Sequence, residues 1–570
     1  MIRPTLEGLD AGIVPTLIIG SGPAGLTLAM ELARQGERCV VLESGATRPG
    51  PAGKLSKAEI TNPALHDDMS MAVSRQLGGT SNLWGGRCMP LDPQDFEPRA
   101  FSQGARWPLA FEDIAPYYER ACGYASCGDA VFEGPFAGTP EDDAFSLRSV
   151  ERASNVPAFQ KAHAARLEAS DEIDIRTGAT VVDFQLVDNG RVSQVRVVGL
   201  DGVAKYIRVG RVVIAAGGLE STRLLLAMRR RRRDLFGGPE GPLGRFYMGH
   251  VIGDVADVIF AHDAIDAAFD FVKDGHGSFT RRRFTPRRDV QERHGLPNIC
   301  FWPIVAPIAD PRHRSGPLSA VALALSTPGL GKRLIPDAIR KRHLTGGVDW
   351  TAHLRNVVAD IPGTLGFLGD FVHKRYLSSQ RVSGYYLRNK ARRYGLAYSS
   401  EQSPRWDSRV TLGQETDALG LPRLRIDLRF HRDDADAIAR AHAELGGWLE
   451  RTRLGRLELR QPERETAAAV LAKAGHGTHQ IGTTRMGRDR HEGVVDRDLR
   501  TFDCPNLFVA SSSVFPTSGQ ANPTLSIVAF AARLADTIVA ERRGGVPEVT
   551  DRSRSPDRSK LHNARAPARA

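Results

Sequence analysis

The feature that most constrains this chain is Gly20-Ser21-Gly22-Pro23-Ala24-Gly25, a GxGxxG turn between a short apolar run at 16–19 and a helical pattern. After Gly22, the residues Leu26, Ala29, Met30 and Ala33 recur at i, i+3, i+4 and i+7, one buried face of a helix. Gly36 closes that helix, and 39–42 is a second apolar run of strand length. A strand, a glycine turn and a helix in this order form one half of a doubly wound sheet. Gly20 permits the tight turn, Gly22 lets the backbone approach a pyrophosphate, and Gly25 lets helix and strand pack closely. The first N–H groups of the helix then face the anion. Glu43, at the end of the second run, is placed to accept hydrogen bonds from both hydroxyls of an adenosine ribose.

The remaining α/β pieces are scattered. Alternation over 179–198 around Asp188-Asn189-Gly190 predicts a hairpin. Residues 211–216 read as a buried strand, 219–228 as a helix, 507–510 as a strand and 523–541 as the last helix. A nicotinamide site is usually completed within one continuous stretch. The spread seen here suits FAD, an extended cofactor reached by distant segments. Between 263 and about 459 lie alternating stretches (408–412 and 424–428) and an amphipathic one (433–453), which predict a second domain over the cofactor. The fold class expected is α/β and α+β: a Rossmann-like FAD-binding domain with a second, sheet-plus-helices substrate domain. The expected boundaries are 1–262 for the first part of the FAD domain, with flavin-loop and cap elements in about 75–170. The substrate domain follows at 263–460, the last part of the FAD domain with the catalytic residues at 461–545, and a disordered basic tail at 546–570.

Composition narrows the partners. With 41% hydrophobic and 25% charged residues the chain is of ordinary globular type, and its net charge is +11. The excess sits in 229–233, in 332–393 and in the tail, without interleaved aromatics, so no nucleic-acid partner is expected. The six cysteines form no CxxC pair and no Cys/His cluster at metal spacing, so they read as ordinary thiols and no metal is expected. No export signal is visible and no run reaches the ~18 apolar residues of a spanning helix, which leaves a cytoplasmic location as the expectation. One stretch is different: 365–372 is apolar and flanked by Arg and Lys, compatible with a helix lying on a membrane surface, although Asp370 interrupts it. A solvated face of a substrate-domain insertion is the alternative.

Four segments together resemble the glucose–methanol–choline (GMC) oxidoreductase family. They are Gly20 to Gly25 with Glu43; Gly78-Gly79-Thr80-Ser81-Asn82-Leu83-Trp84-Gly85-Gly86; Ala215-Ala216-Gly217-Gly218-Leu219-Glu220-Ser221 with Gly244-Arg245-Phe246-Tyr247-Met248-Gly249-His250; and a C-terminal block. That block runs from His479-Gln480-Ile481-Gly482-Thr483-Thr484-Arg485-Met486-Gly487 through Gly493-Val494-Val495-Asp496 to Phe515-Pro516-Thr517-Ser518-Gly519-Gln520-Ala521-Asn522-Pro523-Thr524. The pattern is most similar to the pyranose-oxidase-like branch, and the resemblance is weak over 263–395. It implies that His479 and Asn522 face the flavin as a His/Asn pair. It implies a cofactor site built from Gly20, Ser21, Gly22, Pro23, Ala24, Gly25, Glu43, Gly79, Thr80, Asn82, Leu83, Val182, Ala216, Gly217, Ser512, Asn522, Pro523 and Thr524. Some members bind the flavin covalently through a His just before the Trp of the glycine loop; here that position is Leu83, so the expected FAD is non-covalent.

Alcohol oxidation removes a proton from O–H and a hydride from C–H. The hydride acceptor is the cofactor's own chemistry. The proton needs an acceptor with a pKa near neutrality, which His has without perturbation. His479 is the expected base, and Asn522 the group that orients the substrate oxygen. Asn522 also reads as the N-cap of the last helix with Pro523 at its first position, and that helix N-terminus would favour the negative charge of reduced flavin. His476 is a rival to His479, His250 has an equal claim to core packing, and Arg485 reads as a structural hydrogen-bonder. The expected substrate is a sugar or glycoside hydroxyl, with a nonpolar alcohol as runner-up. Oxygen, a quinone or a redox protein takes the electrons. Two other classes compete: a non-catalytic flavin or nucleotide binder, and a membrane-surface subunit that feeds electrons to a quinone or cytochrome.

Overall fold

Parallel strands whose carboxyl ends share one edge organise the first half of the molecule. The computed structural model describes residues 1–544 apart from 49, 51–56, 137–143, 306–307, 328, 330–343, 345–347 and 374–385; the expected tail at 546–570 lies outside the described residues. Ile13–Ile19 pairs in parallel with Cys39–Glu43 on one side and with Ala204–Ile214 on the other. Ile173–Thr177 and then Ile2–Arg3 extend the sheet beyond Cys39–Glu43. On its far side, Ala204–Ile214 takes the antiparallel hairpin Thr180–Leu186/Val192–Val198 along its first half and the parallel strand Leu507–Val509 along its second. The hairpin forms where the Asp188-Asn189-Gly190 signal places it, with Gly190 at a positive φ. The strand read at 211–216 is the end of a longer one, whose first part is polar on its exposed side.

The helix Pro23–Arg34 follows the glycine turn as the periodicity predicts. It packs beside the last helix, Thr524–Arg542, which also meets Tyr117–Ala125. Arg120 ties the three together by pairing with Glu31 and Asp536. A second sheet is wholly antiparallel, in the order Ile299–Ile304, Arg393–Ser400, Val251–Phe260, Gly455–Leu459. One of its faces is covered by the helices Arg432–Arg451 and Thr466–Lys473 around Phe301, Leu396, Tyr398, Leu445 and Trp448. The other face carries Cys300, Trp302 and Ala397, with the Arg87 guanidinium over the Trp302 ring. The alternating stretches at 408–412 and 424–428 do form strands, Arg409–Thr416 and Pro422–Asp427. Pro422–Asp427 pairs in turn with Ala58–Ile60, and Val410, Leu424 and Ile426 join the core of the first sheet rather than that of the second.

Trp448 is fully buried, with its ring 5.7 Å from Phe145 and 5.9 Å from Phe284. Trp448→Ala is expected to cost about 3–5 kcal/mol in a chemical unfolding curve. A loss under about 1 kcal/mol would mean that the core can collapse around the missing ring.

Candidate active site

The strand register brings four chain segments to one cavity. Ile19 lies beside Leu42 and Ile214, and Ile214 beside Val509. The segments that leave these strands line a cavity of about 370 Å³: the Gly20 turn, Glu43–Ser44, Ala215–Gly218 and Ala510–Ser512. This is where open α/β sheets bind their ligands, outside the carboxyl ends of the strands.

The glycines act as the spacing implies. Gly20 has φ +104°, and a Cβ there would lie 2.5 Å from the Ala215 carbonyl oxygen. A Cβ on Gly25 would lie 2.0 Å from the Gly20 oxygen, so helix and strand meet only through glycine. A Cβ on Gly22 would meet nothing within 4 Å. That space is the cavity itself, and the helix behind it has no side-chain cap over its first N–H groups. Glu43 shapes the turn: one carboxylate oxygen accepts from the Ser21 amide (3.1 Å) and hydroxyl (2.6 Å), the other from the Gly45 amide (2.8 Å). Free N–H groups for a pyrophosphate and a carboxylate for a ribose fit an FAD dinucleotide.

Of the residues expected from the sequence, Gly20, Ser21, Gly22, Pro23, Ala24, Glu43, Gly79, Thr80, Leu83, Ala216, Gly217, Ser512, Pro523 and Thr524 line this cavity, together with His479 and Asn522. Gly25, Asn82 and Val182 do not. Gly25 is the packing glycine. Asn82 turns back to the Leu77 and Gly79 carbonyls and to Gln160, and so holds the glycine loop. Strand alternation gives Val181 to the cavity and sends Val182 to a separate cluster with Val198 and Leu421. The Ser512 hydroxyl donates to the Gln480 carbonyl (2.8 Å). The expected N-cap is not observed: the last helix begins one residue later, with Pro523 at its cap position and no side-chain cap bond. Among the described residues none hydrogen-bonds the Asn522 side chain, which leaves its amide to the cavity.

His479 is held from several sides. The pairing of Met248 with Ile481 sets the Gly244–His250 segment against it, and Gln480 receives the Leu219 amide at 3.0 Å. His250 Nδ1 and His479 Nδ1 stand 2.7 Å apart, so one donates to the other. No described residue bonds Nε2 of His479. His476 packs edge-on against His479 but does not line the cavity, and its Nε2 meets the Thr478 hydroxyl at 2.8 Å. His250 is fully buried, so its bond to His479 joins the packing role read from the sequence.

Burial pushes all three imidazoles toward the neutral form. It lowers His250 to about 3 and His476 to about 4. His479 is held well below its ordinary range, first by burial, then by His476, His250 and the Arg87 guanidinium. At neutral pH His479 is therefore an unprotonated imidazole with an open Nε2, the state a general base requires.

Sequence reasoning missed the polar layer behind Asn522. Arg283 donates to Gln520 (2.6 Å) and to the Cys300 sulfur (3.3 Å), and Gln520 donates to Asp92 (3.0 Å). Arg87 binds Glu151 in a bidentate pair and lies 4.4 Å over the Trp302 ring. Glu151 falls to about 2 under Arg281 and Arg87, which outweigh its burial. Gln520 sits two places before Asn522 in the C-terminal block and was the available signal. The arginines come from the middle of the chain, where no motif marks them. Arg485 lies off the cavity, stacked 4.3 Å over Phe246 and donating to the Gly104 carbonyl.

The same segments are found in known proteins. The FAD binding domain family matches residues 13–79, and the GMC oxidoreductase family matches 404–531. A 2-methyl-1,2-propanediol dehydrogenase of Mycolicibacterium austroafricanum is 33% identical over 92% of this chain and 94% of its own. The chain belongs to the GMC oxidoreductase family. It is thus an FAD enzyme acting on hydroxyl groups. A C-glycoside 3-oxidase of Microbacterium trichothecenolyticum is 25% identical over 93% of this chain and 98% of its own. The solved pyridoxine 4-oxidase from Mesorbium loti shares the fold, with TM-score 0.51 and 18% identity over 92% of this chain and 99% of that one.

Two outcomes are expected of this GMC oxidoreductase. Glu43→Gln should weaken FAD binding about tenfold or more, because a charge-assisted bond to the ribose is lost; an unchanged dissociation constant in a flavin titration would remove Glu43 from the site. The buried neutral histidines must charge in acid, so the unfolded chain binds more protons below its own His pKa of about 6.5. The melting temperature should therefore fall as pH drops from about 6.5 toward about 4, and a flat profile over that window would contradict the burial.

Proposed function

We infer that this enzyme oxidises the CH–OH group of a sugar or glycoside, with His479 as the base and Asn522 as the group that fixes the substrate oxygen. The observation that supports this most is that His479 and Asn522 open on the same cavity as the dinucleotide turn, one with a free Nε2 and the other with a free amide. Bound FAD supplies the hydride acceptor, its N5. His479 takes the hydroxyl proton at Nε2 while its Nδ1–H donates to His250 Nδ1. His250 then carries its own proton on Nε2, a buried nitrogen that no described residue hydrogen-bonds. His250 is thus a positioning residue that fixes the tautomer of His479. Asn522 donates its amide N–H to the same substrate oxygen and holds it over the base.

A nonpolar alcohol is the second reading. It is favoured by the diol named for the 33% identical relative, a small alcohol with a hydrocarbon branch and no sugar ring. FAD is bound without a covalent link: Leu83 lines the cavity where some relatives carry a bonding His, and it has no nucleophilic atom. A cytoplasmic location is in keeping with six cysteines that are all buried free thiols. Oxygen, a quinone or a redox protein serves as the acceptor.

His479→Ala should lower kcat by roughly 10²–10⁴-fold with FAD still bound, and a loss under about tenfold would remove the base assignment. The acid limb of kcat/KM should lie below the ordinary His value of about 6.5. His250→Asn should move that limb upward by removing a neighbouring imidazole; a limb that stays in place, with only the melting temperature altered, would leave His250 a packing role. Acid precipitation should release intact FAD to the supernatant, whereas flavin retained in the pellet would refute non-covalent binding.

A further inference from the structure

Away from the active site, two helices joined at Asp360 expose an apolar stripe. Trp350–Ala359 and Ile361–Val372 pack against Gly316–Ser326. Their inward faces are mixed: His353 and Thr364 are buried, and Val357, Phe367 and Phe371 on the same faces are half-buried. His353 and Asn356 both bond the Ser319 hydroxyl, at 3.0 and 3.1 Å, and Asn356 also reaches the Pro311 carbonyl. An apolar stripe faces outward, with Arg355 and Asp370 exposed beside it. Trp350, Leu354 and Val358 recur at i, i+4 and i+8 on the first helix, and Ile361, Leu365, Leu368 and Val372 at i, i+4, i+7 and i+11 on the second. All seven are exposed, up to 69% for Val358 and 63% for Leu365. A helix in water presents the opposite arrangement. An apolar patch of this kind marks a surface that something covers.

The geometry points to an anionic lipid surface as that cover, with the two helices lying in the interface and their apolar stripes in the acyl boundary. Charge supports lipid. The chain before the pair carries Lys332, Arg333, Arg340, Lys341 and Arg342, and the chain directly after it carries Lys374 and Arg375. Basic residues flanking an apolar helical face are the composition of an interfacial helix on anionic headgroups. Length supports lying on the surface rather than crossing it. The longer helix has 12 residues, where spanning needs about 20, and among the described residues no helix is long and apolar enough to cross. Trp350, at one end of the stripe, suits the headgroup level, where amphipathic rings collect. The polar groups bonded between the helices stay inside the protein, away from the hydrocarbon. Such an attachment would hold the enzyme next to a membrane-borne electron acceptor.

The test is flotation of the full-length FAD-loaded enzyme with phosphatidylglycerol-containing vesicles and with phosphatidylcholine vesicles. The wild type should float with the anionic vesicles, and added salt should weaken this. Leu354→Glu with Leu365→Glu should lower the vesicle-bound fraction by roughly tenfold or more, since each substitution removes a buried leucine from the lipid, while flavin content and turnover with a soluble acceptor stay unchanged. Where that pair fails to accumulate, Val358→Ser with Leu365→Ser gives the same reading with a smaller loss. A wild type that floats with neither vesicle, or variants that float equally well, would overturn the proposal. So would an enzyme that ignores vesicles but forms a dimer that these substitutions dissociate, because the stripe would then belong to a second copy of the chain.

Discussion

The pairing of Ala204–Ile214 with two strands far apart in sequence is the constraint on which the rest depends. It holds Ile13–Ile19 on one side and Leu507–Val509 on the other, both in parallel. The ladders run on past the strand ends: Ala215 donates to Ile19 and Ala510 to Ile214, at 2.8 and 2.9 Å. The glycine turn that suits a dinucleotide and the segment that ends in Asn522 therefore leave the sheet at one edge. The close contact of Gly20 with the Ala215 carbonyl shows how little room this edge leaves for a side chain. Shifting any of the three strands by one residue would turn its side chains to the opposite face and take its loop out of the cavity.

Around that edge burial keeps imidazoles neutral, as the proposed base requires. An isolated imidazole titrates near neutrality, but three packed together inside a core repel one another's protons and lose water. The result is a His479 that stays neutral well into acid, with one nitrogen committed to His250 and the other open. The arrangement costs acid stability, because the same burial that keeps the ring neutral must be undone when it charges. The polar layer of Arg283, Gln520 and Asp92 serves the Asn522 side of the cavity in another way: it fixes the Gln520 side chain, two places before Asn522, through charged hydrogen bonds and leaves the Asn522 amide itself uncommitted.

Much of this was legible in the sequence where chemistry and local geometry coincide. The βαβ start, the Asn-Gly hairpin and the terminal helix follow from periodicity and turn residues, and the glycine roles follow from the turn. Side-chain direction at single positions was less legible. Val181 and Val182 are equally apolar, and only the strand's register decides which faces the cavity. Asn522 has the sequence of an N-cap, yet the helix starts one residue on and frees its side chain. The strands at Arg409–Thr416 and Pro422–Asp427 could be read as strands but not assigned to a sheet, because Ala58–Ile60, which pairs with the second of them, lies several hundred residues earlier and carries no motif. The helices at 350–372 gave only an apolar run broken by Asp370. Which of their apolar residues stay exposed needs the contact with Ser319, which comes from a different helix.

The central claim is that bound FAD and the His479/Asn522 pair meet in one cavity to oxidise a carbinol. Its most direct test is the absorption spectrum of the purified protein under nitrogen, before and after addition of sugars, glycosides and small diols. The account predicts a flavin spectrum that is bleached by at least one of these alcohols. A colourless protein that also fails to take up added FAD, or a flavin that no alcohol of any class reduces, would contradict it.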